Sequence, residues 1–159
     1  MSENLLKGQT MNGVCGSQIK KAVIVWGKRN SGKTTTLLNF VNQYNIGNNN
    51  YTKLMNKMYH MQQNKDIFVR GMSPSESGAS LQAVLQNAGH PCPNLLVVAE
   101  QIGGGQMFNT LNFLHQHNYK ITHFAIAEPP LNYWGYNPNG VQPTQQILNQ
   151  RTSDIFNAL

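Results

Sequence analysis

The chain has 159 residues, of which 40% are hydrophobic and 11% are charged, so it is long enough for one domain with a buried core. Twelve basic and six acidic residues give a net charge of +6, which favours anionic partners, although the lysines are too scattered to indicate a nucleic-acid site. The N-terminus lacks the apolar segment of a signal peptide and no apolar run is long enough to span a membrane, so we expect a cytoplasmic protein with no membrane partner.

Residues 1–19 are polar and weakly periodic, and we interpret them as a flexible or edge segment in front of a single domain, residues 20–159. Cys15 and Cys92 are far apart in the sequence and form no C-x-x-C motif. Two such cysteines predict neither a disulfide scaffold nor a zinc site.

The first half of the domain begins with a buried strand. The apolar run at residues 21–26 ends at a glycine and predicts this strand, and the spacing of Leu37, Leu38 and Val41 predicts a helix over residues 33–45. A shorter helix is predicted around residues 54–59, followed by a strand at residues 66–71. The stretch SPSE at residues 73–76 is typical of a capping box, so we expect a helix from there to about residue 88.

The second half of the domain repeats the alternation. Residues 94–100 and 121–128 are apolar runs that predict buried strands, and GGGQ at residues 103–106 opens a helix between them. Residues 129–140 form a turn-rich loop and residues 142–157 a closing helix. Strands that alternate with helices predict an α/β fold, a single doubly wound domain whose mainly parallel sheet is flanked by helices.

Residues 27–34 read GKRNSGKT and fit the spacing G-x-x-x-x-G-K-[ST], with a predicted strand before them and a helix after them. Glycines at these positions let backbone N–H groups surround a phosphate at the start of a helix. The octet resembles the Walker A motif of P-loop NTPases, which implies ATP and Mg²⁺ as ligands. The predicted nucleotide contacts are Gly27, Lys28, Asn30, Ser31, Gly32, Lys33, Thr34 and Thr35.

The roles within the octet follow from the same motif. Lys33 is expected to reach the β- and γ-phosphates and to act in catalysis, and the Thr34 hydroxyl is expected to bind Mg²⁺. A second carboxylate is expected where a neighbouring buried strand ends. Glu100 is the predicted catalytic and metal-binding residue, and Glu128 is the alternative.

The extended loop GKRNSGKTT is similar to the GKGGVGKTT of ParA/MinD-type ATPases. That resemblance implies that Lys28 reaches the nucleotide of a partner across a dimer, whereas a solvated loop lysine is the alternative. Arg29 and Asn30 replace two glycines of that family. The chain has no D-x-x-G motif, and its N-K-D at residues 64–66 lacks the spacing of a guanine-reading motif, so we expect ATP rather than GTP.

Three functions remain open at this point. The first is ATP hydrolysis that drives a partner-binding or dimerisation switch. The second is a small kinase that moves the γ-phosphoryl of ATP to a nucleotide or metabolite. Such a kinase would use Arg29, Arg70 or Arg151 to offset the charge of the phosphoryl group, with the aromatic loop 129–140 over the substrate. The third is a nucleotide-binding module of a larger assembly with little turnover.

Overall fold

The computed structural model describes residue 15, residues 18–126, residue 134 and residues 143–159. The strands are β1 (Lys20–Gly27), β2 (Lys57–Met61), β3 (Lys65–Arg70), β4 (Leu95–Gln101) and β5 (Tyr119–Ile126). The helices are α1 (Lys33–Tyr44), α2 (Pro74–Ser77), α3 (Leu81–Asn87), α4 (Met107–Gln116) and α5 (Gln145–Asn157), with a 3-10 turn at Gln62–Asn64. Most of the predicted elements are therefore present, with bounds that differ by a few residues.

The described strands form one five-stranded sheet in the order β2-β3-β4-β1-β5. Four of them, β3, β4, β1 and β5, run parallel, and β2 pairs antiparallel with β3 at the edge. Helices flank this sheet, so the predicted α/β class with a mainly parallel sheet is confirmed.

Two apolar cores cover the two faces of the sheet, because successive side chains of a strand point to opposite faces. Val23 and Val25 of β1 pack with residues of α1 and α5 on one face. Ala22 and Ile24 pack with residues of α3 and α4 on the other face. The helices that follow β1 and β4 therefore lie on opposite faces of the sheet.

The helix predicted around residues 54–59 is wrong, because Lys57–Met61 is a strand. Its side chains alternate: Tyr59 and Met61 are buried in the core beside α1, and His60 is exposed. Leucine and methionine in a short segment fit helical spacing as well as strand alternation, and pairing with β3 decides between the two.

The single helix predicted from residue 73 to about residue 88 is two helices, α2 and α3. Ser73 caps α2 as predicted, since its Oγ accepts a hydrogen bond from Glu76 N at 3.1 Å. The chain then turns at Gly78, whose φ of +76° lies in the left-handed region that glycine adopts readily. Ser80 starts α3 by accepting a hydrogen bond from Ala83 N.

A disulfide joins Cys15 to Cys92, with the two Cα atoms 5.4 Å apart, a single link that was not predicted from the sequence. The reason is topological. Parallel neighbours start at the same edge of the sheet, and Lys21 N at the start of β1 donates to Asn94 O just before β4. Because disulfides are uncommon in reducing compartments, this pairing counts against the cytoplasmic location, which stays a prediction.

Reduction of this disulfide is expected to lower the free energy of unfolding by about 2–4 kcal/mol, because the bond closes a loop of 77 residues in the unfolded chain. Urea unfolding with and without dithiothreitol measures the effect. The Cys92→Ser variant should unfold at the lower midpoint of the reduced wild type and should not respond to the reductant. A wild-type midpoint that is unchanged after complete reduction, verified by thiol titration, contradicts the prediction.

None of the helices in the described part of the chain has the length and apolar character that a membrane crossing requires. Glu128 and the aromatic residues Tyr133 and Tyr136 of the predicted loop lie outside the described residues. Trp134 is described, and it packs on the core: its ring stacks on Phe124 at 4.7 Å and its Nε1 donates to Asp154 Oδ2 at 2.9 Å.

Candidate functional site

The octet at residues 27–34 lies at the carboxyl end of the parallel strands, where β1 and β4 are neighbours. The chain leaves these two strands over opposite faces of the sheet, so the winding direction changes between them. Open α/β sheets bind ligands in the crevice at such a point. The ends of the other strands meet the octet here, with Ile102 N 3.3 Å from Gly27 O and Thr34 Oγ1 3.4 Å from Gly71 O.

The backbone of the octet depends on glycine at two points. A Cβ on Gly27 would lie 2.3 Å from Ser31 Oγ and 3.3 Å from Ile126 O, so a side chain there would require Ser31 to rotate and the loop to shift away from the neighbouring strand. Gly32 has a φ of +98° and Asn30 a φ of +62°, both in the left-handed region that glycine and asparagine tolerate best. The loop therefore curls tightly before α1 begins.

Lys33 is the first residue of α1, and its side chain is buried beneath this loop, 4% exposed. Its Nζ donates to Gly27 O at 3.1 Å and to Lys28 O at 2.7 Å, and it lies 3.3 Å from Glu76 Oε2. Burial lowers the pKa of the ammonium, and the Glu76 carboxylate opposes that effect. The octet thus holds a desolvated positive charge inside its own curve.

The start of α1 favours an anion. Among the described residues, none caps this helix through its side chain, and its first turn contains no acidic residue. Its N-terminal N–H groups and the helix dipole therefore face the loop without a competing carboxylate in the helix itself. Thr34 and Thr35 are exposed beside Lys33, and Lys28 and Arg29 are exposed on the outside of the loop.

Glu76 is a residue of this site that the sequence analysis missed. It follows β3 in helix α2, and the capping-box interpretation gives its carboxylate a local role at the start of that helix. In the structure the backbone N–H of Glu76 donates to Ser73 Oγ, while the carboxylate reaches Lys33 instead of capping the helix. Its position just after the carboxyl end of a parallel strand, where open α/β sheets generally bind ligands, is the sequence signal that could have indicated it.

Glu100, the predicted catalytic residue, lies at the same edge but is completely buried. Ser75 Oγ donates to its Oε1 at 2.8 Å, Gln101 N donates to the same oxygen at 3.0 Å, and Thr110 Oγ1 donates to its Oε2 at 2.7 Å. Strand alternation places this carboxylate on the face of α3 and α4, opposite α1. Both of its oxygens are thus bound by the protein, and its role in catalysis stays a prediction.

Two of the three arginines considered for phosphoryl transfer are buried. Arg70 is 3% exposed and donates from Nη2 to Ser77 Oγ at 2.5 Å, and Arg151 is 2% exposed and donates from Nη1 to Thr36 Oγ1 at 3.1 Å. Burial lowers the pKa of both guanidinium groups. Of the three arginines, Arg29 is therefore the one that is exposed beside the octet.

The described histidines, which are common metal ligands in proteins, do not form a cluster with other possible ligands. His117 Nδ1 accepts from Cys15 N at 3.2 Å, and His123 Nδ1 accepts from Trp26 Nε1 at 3.0 Å. Within the described ranges, no three side chains of the histidine, cysteine, aspartate and glutamate types are placed to hold a metal ion. A divalent ion at residues 27–34 would therefore need ligands from a bound phosphate, as Mg²⁺ sites in nucleotide-binding proteins commonly do.

The chain matches no protein-family model, no curated protein and no solved structure. The site is accordingly defined by its own geometry. It consists of a glycine-dependent loop at the point where the sheet changes winding direction, a buried lysine inside the loop, an uncapped helix start and one carboxylate that faces the lysine.

Proposed function

We propose that the chain is a P-loop NTPase that binds the magnesium complex of a nucleoside triphosphate, ATP in our hypothesis, at residues 27–34 and hydrolyses it. The observation that carries this proposal is the placement of Lys33. Its ammonium is buried inside the curve of the loop and bonded to Gly27 O and Lys28 O, so it is held at the mouth of α1 before any ligand arrives. A positive charge that is already held in this position favours the binding of a phosphate group.

The described residues have the chemistry to hold a nucleoside triphosphate with Mg²⁺. The loop N–H groups and the start of α1 would hold the phosphates, and Lys33 would offset the charge of the terminal phosphoryl. In this proposal Thr34 and Glu76 would hold Mg²⁺, since one is exposed at the helix start and the other faces Lys33. The ion would supply charge neutralisation at the phosphates when bound.

The burial of two arginines favours hydrolysis coupled to a switch over phosphoryl transfer. Transfer to an acceptor needs cations that close over the reacting phosphoryl, whereas Arg70 and Arg151 are buried and donate to serine and threonine hydroxyls of the fold. Apolar side chains are exposed around the site instead: Met72 after β3, Ile102 after β4 and Phe108 in α4. Exposed apolar residues at one edge support a partner or second copy there.

The proposal predicts that wild-type protein releases the label of γ-labelled ATP as inorganic phosphate, and that Lys33→Ala lowers this release at least about a hundredfold, because one interaction with the developing charge is worth roughly that factor. Lys120→Ala is the matched control, since it removes one exposed lysine of β5. The assay includes nucleotides, a metabolite panel and DNA.

Label found on an acceptor would show that the reaction is phosphoryl transfer and not hydrolysis. Tight nucleotide binding without release of label would indicate a binding module. Failure of wild-type protein to bind any nucleoside triphosphate in an equilibrium measurement would remove the proposal altogether, and equal rates for Lys33→Ala and Lys120→Ala would show that turnover does not use this loop.

A further inference from the structure

Helix α2 lies across the site and contacts three charged residues through three consecutive side chains. Ser75 donates to Glu100, Glu76 pairs with Lys33, and Ser77 accepts from Arg70. The charged partners come from the ends of β4 and β3 and from the start of α1. One turn of helix therefore contacts the ends of β3 and β4 and the start of α1 around the proposed phosphate-binding loop.

The ammonium of Lys33 has three N–H donors, and in the free protein it has three acceptors: Gly27 O, Lys28 O and the Glu76 carboxylate. The two carbonyls belong to the loop itself and remain when the loop keeps its shape. Glu76 is the acceptor that an incoming phosphate oxygen would have to replace or accompany. The carboxylate and the phosphate are both anions, so the two compete for the same charge.

The backbone that carries Glu76 is held in place on both sides. Ser73 caps its N–H, and Ser75 packs on the next loop so closely that a Cβ on Gly104 would lie 2.2 Å from Ser75 Oγ. Gln106 N also donates to Ser75 Oγ at 3.0 Å. The backbone of α2 therefore places the Glu76 side chain beside Lys33.

We propose that Glu76 is a specificity-determining residue, which makes the site reject metal-free phosphates and accept a nucleotide only as its complex with a divalent cation. This inference rests on the proposed function and names the ligand form that the same site selects. A second anion beside the carboxylate is repelled over a few ångströms in a partly desolvated site. A divalent cation between the two anions turns their repulsion into a net attraction, because Mg²⁺ in such sites is held by one or two carboxylates together with substrate phosphates.

The test measures equilibrium binding of ATP by calorimetry in MgCl₂ and in EDTA at one ionic strength, with inorganic pyrophosphate as a second probe. Glu76→Gln removes the charge and keeps the shape. Asp66→Asn is the matched control, because it also removes one carboxylate but lies at the opposite end of β3, where Asp66 pairs with His60. Circular dichroism and urea unfolding verify that each variant is folded.

We expect wild type and Asp66→Asn to bind ATP at least about 30-fold more weakly in EDTA than in MgCl₂, a coupling within the usual range for interacting sites. Glu76→Gln should bind metal-free ATP and pyrophosphate at least about tenfold more tightly than wild type, so that the two conditions differ by about threefold or less. An unchanged ratio in Glu76→Gln overturns this inference and leaves the proposed function intact. Equal loss of both ligand forms in folded Glu76→Gln also overturns it. Wild type that binds neither form overturns the proposed function as well.

Discussion

Replacing Gly27 by alanine is expected to weaken binding of Mg·ATP at least about a hundredfold, roughly 2.7 kcal/mol, while the protein still folds. The added Cβ would lie 2.3 Å from Ser31 Oγ, 3.2 Å from Lys33 Cγ and 3.3 Å from Ile126 O. The serine can rotate, but the carbonyl of β5 belongs to the sheet, so the loop must move. That movement displaces both the loop N–H groups and the lysine on which binding depends.

The matched control for this change is Gly105→Ala, because a Cβ at Gly105 has no heavy atom within 4 Å in the described part of the chain. Its stability should stay within about 0.5 kcal/mol of wild type, whereas Gly27→Ala should lose about 1–3 kcal/mol from overpacking. Calorimetric titration with Mg·ATP and urea unfolding measure the two effects. Wild-type affinity in Gly27→Ala would show that the close approach at Gly27 is not needed for the site.

The strand, loop and helix of the proposed phosphate site could be predicted from the sequence because the signals are local. A continuous apolar run predicts the buried strand β1, and the glycine spacing with Lys33 predicts the loop before α1. The structure gives both elements within two residues of the predicted bounds. Local signals fail where pairing decides, as at residues 57–61, whose spacing fits a helix until the antiparallel contact with β3 is known.

The contacts of the two glutamates could not be predicted, because they join parts of the chain that are distant in the sequence. Glu100 takes hydrogen bonds from Ser75 and Thr110, which stand 25 and 10 residues away. Alternation along β4 does indicate its face, since Leu96 and Val98 pack on the same side as α3 and α4. Glu76 has the opposite difficulty: a convincing local role as a capping residue hides its long-range contact with Lys33.

Replacing Glu100 by alanine is expected to lower the free energy of unfolding by about 3–5 kcal/mol, because removal of one charge from a buried polar cluster leaves its partners uncompensated. The Ser75 and Thr110 hydroxyls lose their acceptor, and a buried donor without a partner, as Thr110 would be, costs about 1–3 kcal/mol. Arg70 loses a charge that opposes the lowering of its pKa by burial. The cost is therefore structural, whatever the effect on turnover.

Glu76→Ala is the control, since it removes the same side chain from the same edge of the sheet at a place where 24% of it is exposed. Its cost should be smaller than that of Glu100→Ala, because the Glu76 carboxylate is in contact with water and Lys33 keeps two carbonyl acceptors. Urea unfolding of both variants gives the comparison, and γ-labelled ATP measures turnover in each. If Glu100→Ala unfolds at the wild-type midpoint but no longer turns over ATP, the carboxylate acts on the substrate, and the hydrogen bonds that surround it hold a catalytic group instead of a structural one.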